Sequence, residues 1–570
     1  MKIVTAAEMR EIDRVTTEKY GVPSLTLMEN AGSAVAEFIL QEYPQAERIG
    51  VICGKGNNGG DGLVCARKLH EAGKQVSVLL LADPSELKGD AAEMYKRLAV
   101  PAIIARNEDE FSRPEAQAVY DQDLLVDAIL GTGFKPPVTG LYERAIEGFL
   151  PRMPVVSVDV PSGVDADELE IVDTPGDALV PLVGPQATIT FTAPKPANVF
   201  PLLGGCTFVA PIGSPQDAFP PETRLSLITP SDTWIVPARL TEAHKGDFGH
   251  VLVIGGSVGK AGAAAMAGMA ALRSGAGLVT VACPRSVLPT VAGFAPEMMT
   301  EPLEETEAGT ISLRALEYNR IDKLLQGKTI VVLGPGASRH PETAEFVRTL
   351  VDTYEVPVVL DADGLNAFEG RTELFLRAKA ILVLTPHPGE MRRLGYEIGS
   401  GHSTRIRAAS EMANRNCVIC VLKGHRTLTA GFLRSTFVNT TGNPGMATGG
   451  TGDILSGMIG GRLASWDLVT QRGREYAAEV ARTWLERITR NQSQDHQSLI
   501  AAFGHYRSDF TPMLTPSVAG AVYLHGLAGD IAREHLGEEA MIATDLLKYL
   551  PEAFRRVRQQ AGEKFVRIHG

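Results

Sequence analysis

The 570-residue chain holds only six cysteines, which excludes a disulfide-stapled scaffold and fits a reducing compartment. Cys417 and Cys420 form a CxxC, but they sit inside Asn-Cys-Val-Ile-Cys-Val-Leu, which reads as a buried strand. With no second pair and no nearby histidines, that motif is weak evidence for zinc or redox work. Positive charge is also short. The 55 Lys+Arg stand against 67 Asp+Glu, a formal net charge of −12, which disfavours nucleic acid and anionic membranes as partners. A local pocket can still hold an anionic substrate. No apolar run makes a clean membrane span: Gly262 to Ala282 comes nearest, but it is rich in Ala and Gly and interrupted by Arg273. It reads as a tightly packed core helix followed by a strand. The N-terminal MKIVTAAEMREIDR lacks the apolar stretch of a secretory signal, so a cytoplasmic location is expected. A hydrophobic share of 44% and a charged share of 21% exclude wholesale disorder and a coiled-coil rod.

What the chain has in excess is glycine: 58 residues, roughly 10% against a typical 7%. They cluster in short loops, which signals close backbone approaches. At about 150 to 250 residues per α/β unit, the length predicts two large domains. In the first half, strand-length runs at Ile49–Cys53, Val76–Leu81, Leu124–Ala128 and Val155–Val160 alternate with helical patterns at Leu63–Ala72 and Ala91–Leu98. That alternation predicts a parallel βαβ sheet. Four prolines without periodicity within residues 211–224 mark a linker, placed at 216–228 between domains 1–215 and 229–570. Strand signals resume at Val251–Ile254, Leu278–Val281, Thr329–Leu333, Val358–Leu360, Ala380–Leu384 and Val418–Leu422, predicting a second α/β domain. No sequence repeat relates the halves. Residues 461–516 read as an insertion, with a charged amphipathic helix at Arg472–Arg490 and a polar stretch at Asn491–Gln497.

Gly54, Gly56 and Gly59 satisfy GxGxxG between a strand and a helix, and Asp83 follows where a ribose-binding acid would sit. Alone, this would suggest an NAD-dependent dehydrogenase or a plain tight turn. Neither explains the amides and carboxylate of Asn57-Asn58-Gly59-Gly60-Asp61. Asp127-Ala-Ile-Leu-Gly-Thr-Gly133 and Asp159-Val-Pro-Ser-Gly-Val-Asp165 end two other strands. Since strand ends of a parallel sheet face one crevice, Asn58, Asp127 and Ser162 can meet as an all-oxygen set. Such a set suits a hard cation, and its low formal charge favours a monovalent one such as K⁺.

GKGNNGGDG, DAILGTGF, SVDVPSGVDAD, TAAEMREIDR and LMENAG together resemble the NAD(P)H-hydrate epimerase (YjeF N-terminal) family, over residues 1 to about 215. The resemblance implies a Rossmann-like fold and substrate binding by Asn57, Asn58, Gly59, Gly60 and Asp61. It also implies binding by the loop Gly131, Thr132, Gly133, Phe134, Lys135, Pro136 and Pro137, and K⁺ ligation by Asn58, Asp127 and Ser162. Asp159 would lie beside the damaged nicotinamide ring. There C6 is a hemiaminal carbon, and loss and return of its hydroxyl requires an acid/base. Asp159 is the chosen group, against the alternative of a strand-end aspartate capping its turn.

In the second half, Gly259-Lys260 comes close to a phosphate-binding P-loop, but Gly255 is misplaced and Ala261 replaces Ser/Thr. The strongest signal is Asn443-Pro-Gly-Met-Ala-Thr-Gly-Gly-Thr-Gly-Asp-Ile-Leu-Ser456. Its glycines bring backbone amides to a helix start, an anion site, with Asp453 at the mouth as a candidate base for an attacking hydroxyl. The alternative is an acidic N-cap. TGGTGD resembles the ribokinase-like superfamily. HKGDFGHVLVIGGS, VLGPGAS, LTPHPGEM, VLKGHRTLT, GNPGMATGGTGD and YLHGLAGD resemble more closely the ADP/ATP-dependent NAD(P)H-hydrate dehydratase family, in order from about 225 to 555. That resemblance implies contacts to the hydrated cofactor from Ala263, Gly336, His387 and Asp453. It implies nucleotide binding by Lys423, Gly424, His425, Arg426, Thr427 and Gly452, with ADP or ATP as co-substrate and Mg²⁺ as cofactor. His387, between two prolines, is read as a ligand. Asp363 either helps position Mg²⁺ or, with Asp361, caps the following helix.

The fused reading is a repair enzyme for hydrated NADH and NADPH: epimerisation of R and S hydrates, then dehydration of the S form. A homo-oligomer is expected. The alternative is a ribokinase-like vitamin-alcohol kinase joined to a non-catalytic Rossmann-like module.

Overall fold

The computed structural model describes residues 1–149, 153–170, 182–200, 205–234, 241–432, 436–465, 496–560 and 565–568, with the backbone alone given for 496–513. The chain forms two compact units, Met1–Leu225 with Glu563–Gly570, and Ser226–Gly562.

The first unit is built on an eight-stranded sheet. Strands β1 (Arg48–Cys53), β2 (Gln75–Leu80), β3 (Ala102–Ile104), β4 (Leu124–Ala128), β5 (Val155–Val158), β6 (Ala187–Phe191) and β7 (Cys206–Ala210) run parallel in the order β7-β6-β5-β4-β1-β2-β3. The eighth, Val566–Ile568, pairs antiparallel on the β7 edge. Val51, Val78, Val126 and Val156 are fully buried in the sheet, as both-face burial of a parallel sheet requires. The strand order reverses between β1 and β4, so the loops after those two strands part and open a crevice. Helix α1 (Ala6–Glu18) begins with a capping box, Glu8 donating its amide to Thr5 Oγ1 and Thr5 donating to the Glu8 carboxylate. Helix α2 spans Ser24–Glu42, and α3 (Asn57–Glu71) starts directly after the glycine loop.

Most of the predicted strands are present within a residue or two. The run Val155–Val160 stops at Val158, because Asp159 adopts φ 65°. The proline-rich stretch 211–224 carries little regular structure yet packs on the first unit. Ile212 and Ala218 are buried there, and Asn30 Nδ2 donates to the Ile212 carbonyl at 2.7 Å.

The second unit repeats the same plan on a ten-stranded sheet. The strands are β8 (Leu225–Leu227), β9 (His250–Ile254), β10 (Leu278–Pro284), β11 (Met299–Leu303), β12 (Ile330–Leu333), β13 (Val358–Leu360), β14 (Leu382–Leu384), β15 (Ile419–Leu422), β16 (Leu428–Ala430) and β17 (Thr436–Val438). Their order is β11-β10-β9-β12-β13-β14-β15-β16-β17-β8, parallel from β11 to β15 and antiparallel across β15-β16-β17. Cys420 lies buried on β15, whereas Cys417 is not in a strand: it ends the preceding helix at φ 52°. The expected core helix and strand appear as Ala261–Arg273 and β10.

Of the expected insertion, Arg472–Arg490 and the stretch Asn491–Gln497 lie outside the described residues, except that 496 and 497 begin a helix. That helix, His496–Leu536, continues unbroken through 516.

The alanine-rich helix Ala261–Arg273 packs closely on the glycine-rich helix Thr451–Ala464. A Cβ on Gly457 would sit 2.1 Å from the Ala267 carbonyl oxygen, and one on Gly461 2.3 Å from that of Ala271. Neither carbonyl can retreat without disturbing its own helix. Gly457→Ala is therefore expected to lower unfolding free energy by about 1–3 kcal/mol, the usual cost of overpacking. Denaturant titration should show an earlier midpoint.

Candidate active sites

In the first unit, a cavity of about 660 Å³ lies at the strand-order reversal, lined by α1, the start of α3, the Ile129–Lys135 loop, Asp159 and Lys195. Helix α3 starts at Asn57 behind Gly56 with no side-chain cap, so its first amides stay available to a ligand. Gly59 is required there, because a Cβ would meet the Gly54 carbonyl oxygen at 1.9 Å. Gly131, Thr132, Gly133, Phe134 and Lys135 line the same cavity, together with Asn57, Asn58 and Asp61. Pro136 and Pro137 follow, joined by a cis peptide. Lys135 is held by Asp165 and Asp167 at 2.6 and 3.0 Å.

Asp127, Ser162 and Asn58 converge beside this loop. Asp127 is fully buried and accepts from Ser157 Oγ (2.8 Å), Ser162 N (2.9 Å), Ser162 Oγ (2.5 Å) and Ile129 N (3.3 Å). Burial pushes its carboxyl up against these hydrogen bonds. Asn58 Nδ2 donates to the Leu130 carbonyl at 3.0 Å, and Ser162 Oγ lies 3.3 Å from the same oxygen. All four donors to Asp127 are neutral.

Asp159 is positioned by its own strained backbone, φ 65°. Its carboxylate accepts from Thr190 Oγ1 at 2.9 Å and from Lys195 Nζ at 2.5 Å, and its carbonyl accepts from Asn198 Nδ2 at 3.1 Å. The side chain does not cap the following turn. Lys195 is 1% exposed and donates also to Thr190 Oγ1 and, at 3.4 Å, to the Phe191 carbonyl. Sequence reasoning missed Lys195, Thr190 and Asp13. The available signal was Thr-Ala-Pro-Lys-Pro directly after an apolar strand, a lysine fixed by prolines at a strand end. Asp83 is spent elsewhere: it caps the turn Pro84–Glu86 through Ser85 and pairs with Arg106 at 2.7 Å. It does not line the cavity.

In the second unit, β13, β14 and β15 end in Asp361, Thr385 and Lys423. Lys423 Nζ donates to Asp361 Oδ1 at 2.9 Å and lies 3.7 Å from Glu390 Oε2, while Thr385 Oγ1 donates to Asp361 Oδ1 at 2.7 Å. Burial opposes the Lys423 charge, but the Asp361 and Glu390 carboxylates outweigh it and raise the amine. A Cβ on Gly452 would sit 3.4 Å from Lys423 Nζ, which places this amine against the start of the helix Thr451–Ala464. That helix is entered through Gly450 at φ 103° with no side-chain cap, so Asp453 is not an N-cap. Its carboxyl makes no hydrogen bond among the described residues. Burial first, then the Asp361 carboxylate, push it up to about 7, with Lys423 opposing.

Asp361 and Asp363 do not cap the helix after them. Asp363 accepts from Lys260 Nζ (3.0 Å), Ser338 N (2.9 Å) and Asn366 Nδ2 (3.2 Å), whereas Asp361 Oδ2 is buried without a partner. Ala263 and Gly336 are neighbours, since a Cβ on Gly336 would lie 3.0 Å from Ala263 Cβ. His387 is a cap before anything else: its Nδ1 accepts from Gly389 N (2.9 Å) and Glu390 N (3.3 Å) at the start of the helix Pro388–Arg393. Burial and Lys423 lower its pKa, and its Nε2 lies 3.5 Å from Glu390 Oε1. Arg426 turns its guanidinium into the core, donating to the Thr440 carbonyl at 3.2 Å, so its side chain is committed to structure. Gly424, at φ 136°, and Thr427, which donates to the Gly424 carbonyl at 2.8 Å, shape the loop through His425.

The family described as YjeF-related protein N-terminus matches residues 24–197, and the one described as NAD(P)H-hydrate dehydratase matches residues 251–507. The bifunctional NAD(P)H-hydrate repair enzyme of Moorella thermoacetica is 38% identical, covering 98% of this chain and 98% of its own. The chain belongs to that family. The Coxiella burnetii member is 34% identical over 95% of this chain and 97% of its own. Among solved structures, the Bacillus subtilis ADP/ATP-dependent NAD(P)H-hydrate dehydratase, co-crystallised with ATP/Mg²⁺, is 26% identical. It covers 58% of this chain and 98% of that one, at a TM-score of 0.42. As a bifunctional repair enzyme, the chain carries two α/β units, each built on a largely parallel sheet whose strand order turns back once. The vitamin-alcohol kinase alternative finds no support.

If Asp453 acts as a base, it works only when ionised. The rate of the second unit at limiting substrate should then climb with pH and level off above about 7. Asp453→Asn should cut turnover by about 10²–10⁴-fold. Steady-state kinetics across pH checks both, and a flat wild-type profile would remove the role.

Proposed function

We propose that the first unit interconverts the R and S hydrates of NADH and NADPH, and that the second dehydrates the S form with ADP or ATP. The observation that carries this reading is the full-length match to bifunctional relatives, joined to a titratable site at the strand ends of each unit. The two activities belong together chemically: spontaneous hydration yields both epimers, whereas a phosphorylating site selects one.

In the first unit, the uncapped start of α3 at Asn57, Asn58, Gly59 and Gly60, with the loop Gly131–Pro137, holds the hydrate, and Asp159 lies beside its ring. Asn58, Asp127 and Ser162 would hold K⁺. A buried carboxylate that receives only neutral hydrogen bonds fits a nearby cation, and amide, hydroxyl and carbonyl oxygens are at hand. The ion would supply fixed positive charge beside the ligand loop.

In the second unit, the first-turn amides with Lys423, Gly452 and the loop to Thr427 receive the nucleotide. Ala263, Gly336 and His387 Nε2 orient the hydrate. Asp453 takes the proton of the C6 hydroxyl as that oxygen attacks the terminal phosphoryl group. The N1 lone pair then expels phosphate, and loss of a C5 proton restores the dihydronicotinamide. Mg²⁺ would travel with the nucleotide, and Asp361 Oδ2 is an acceptor open to it. A homo-oligomer in the cytoplasm completes the reading.

The test mixes R and S hydrates with each nucleotide and follows NADH absorbance. Complete recovery is expected. Recovery of the S portion alone would remove the first activity, and a stable phosphorylated product without NADH would remove the second. Replacing K⁺ by tetramethylammonium should slow interconversion, and Ser162→Ala should raise the K⁺ concentration required.

A further inference from the structure

Asp159 is not the only carboxyl in the first cavity, and it is the one already matched. Lys195 has three N–H donors, and all three are used, on Asp159, Thr190 and Phe191. Asp61, from the first turns of α3, and Asp13, from α1, line the same cavity. Neither carboxyl makes a hydrogen bond or ion pair among the described residues, and Asp13 Oδ1 is buried with no partner. Arg10 and Lys55 also line the cavity, yet neither pairs with them; Lys55 is held by Glu86 at 2.9 Å. Asp90 lines the cavity too, and of its lysines Lys195 is spent on Asp159, Lys55 on Glu86 and Lys135 on Asp165 and Asp167, so none pairs with Asp61 or Asp13.

We propose that Asp61 is a further catalytic residue, the proton donor to the departing C6 hydroxyl, and that Lys195 is the positioning residue that anchors the Asp159 side chain. This inference rests on the reading of the first unit as the isomerising one. The electrostatics run the same way. Burial, with Asp159 and Asp13 nearby and Lys195 only partly offsetting them, holds the Asp61 carboxyl well above the usual range, and burial takes Asp13 to about 6. The neighbouring Cys53 thiol is buried and held up, so it stays neutral and adds no charge. An unpartnered carboxyl held up by burial, set in one cavity with a carboxyl paired to an ammonium, is the arrangement an acid and a base require.

The step balances. Asp61 gives its proton to the C6 hydroxyl, the C6–O bond breaks with its electron pair leaving as water, and the N1 lone pair forms the N1=C6 iminium. Water adds to the opposite face, the electron pair of the new C–O bond coming from its oxygen, and its surplus proton passes to Asp159. The product is the other epimer, with one proton moved from Asp61 to Asp159. The reverse turnover, or exchange with solvent, resets the pair.

The experiment uses the full chain with pure R hydrate and separates R from S by chromatography across pH. Asp61→Asn removes the proton with little change in shape. It should lower kcat by about 10²–10⁴-fold, leave KM within a few-fold, and abolish the decline of wild-type rate at high pH. Lys195→Gln should lower kcat with little change in KM, because Asp159 loses its anchor, and Lys195→Arg should restore much of the wild-type kcat. A wild-type chain that does not interconvert the hydrates sinks the isomerase reading and this assignment with it. A wild-type chain that does, with Asp61→Asn matching its kcat and pH profile, overturns the role of Asp61 alone.

Discussion

Both sites depend on one constraint of parallel sheets: every strand delivers its carboxyl end to the same edge, and the next helix begins there with amides that no turn precedes. In the first unit the order turns back between β1 and β4; in the second, between β9 and β12. The main chain crosses that gap in the same way twice. Gly54 N donates to the Ala128 carbonyl and Gly334 N to the Ile254 carbonyl, each at 3.0 Å. Glycine is what allows these approaches, and this explains why an unremarkable composition carries so much of it. The halves share no detectable repeat because a strand order is kept by hydrophobic patterning, which many sequences satisfy.

Charge is rationed alike in the two sites. Each places one lysine beyond a strand end, Lys195 or Lys423, in a pair with one buried aspartate, Asp159 or Asp361. A second carboxyl nearby, Asp61 or Asp453, is left with no cation of its own and is pushed toward neutrality. Removing one member of a buried pair typically costs about 3–5 kcal/mol, and a non-glycine residue at positive φ such as Asp159 about 1–3 kcal/mol more.

The sheet strands were legible because both-face burial writes continuous apolar runs such as Ile49–Cys53 and Val251–Ile254. The short β16 and β17 carry no such run and went unread. The glycine-rich loops marked both strand-end crevices, because the backbone there passes too close to its neighbours for a Cβ, as at Gly54 and Gly59. What could not be read was pairing. Asp159 meets Lys195 across 36 positions and Lys423 meets Asp361 across 62, and nothing local in the chain links them. His387 shows the opposite failure: Thr-Pro-His-Pro-Gly signals an exposed turn, but not that the ring's Nδ1 is occupied by the backbone amides of that same turn. Arg426 likewise lies in a loop of ligand-like composition while its side chain serves the core.

The strand Val566–Ile568 lies on the outer edge of the first sheet, while Phe565 rests against Phe38 at 5.9 Å. The polypeptide therefore leaves the first unit near Leu225 and comes back to it after completing the second. In topological terms, one catalytic body is spliced into the other. A scissile design that severs the halves at the proline-rich stretch would strip β7 of its neighbour. It would leave a row of unsatisfied backbone donors and acceptors open to foreign strands. Excising the interior body and rejoining the ends is the division that respects how this molecule is threaded.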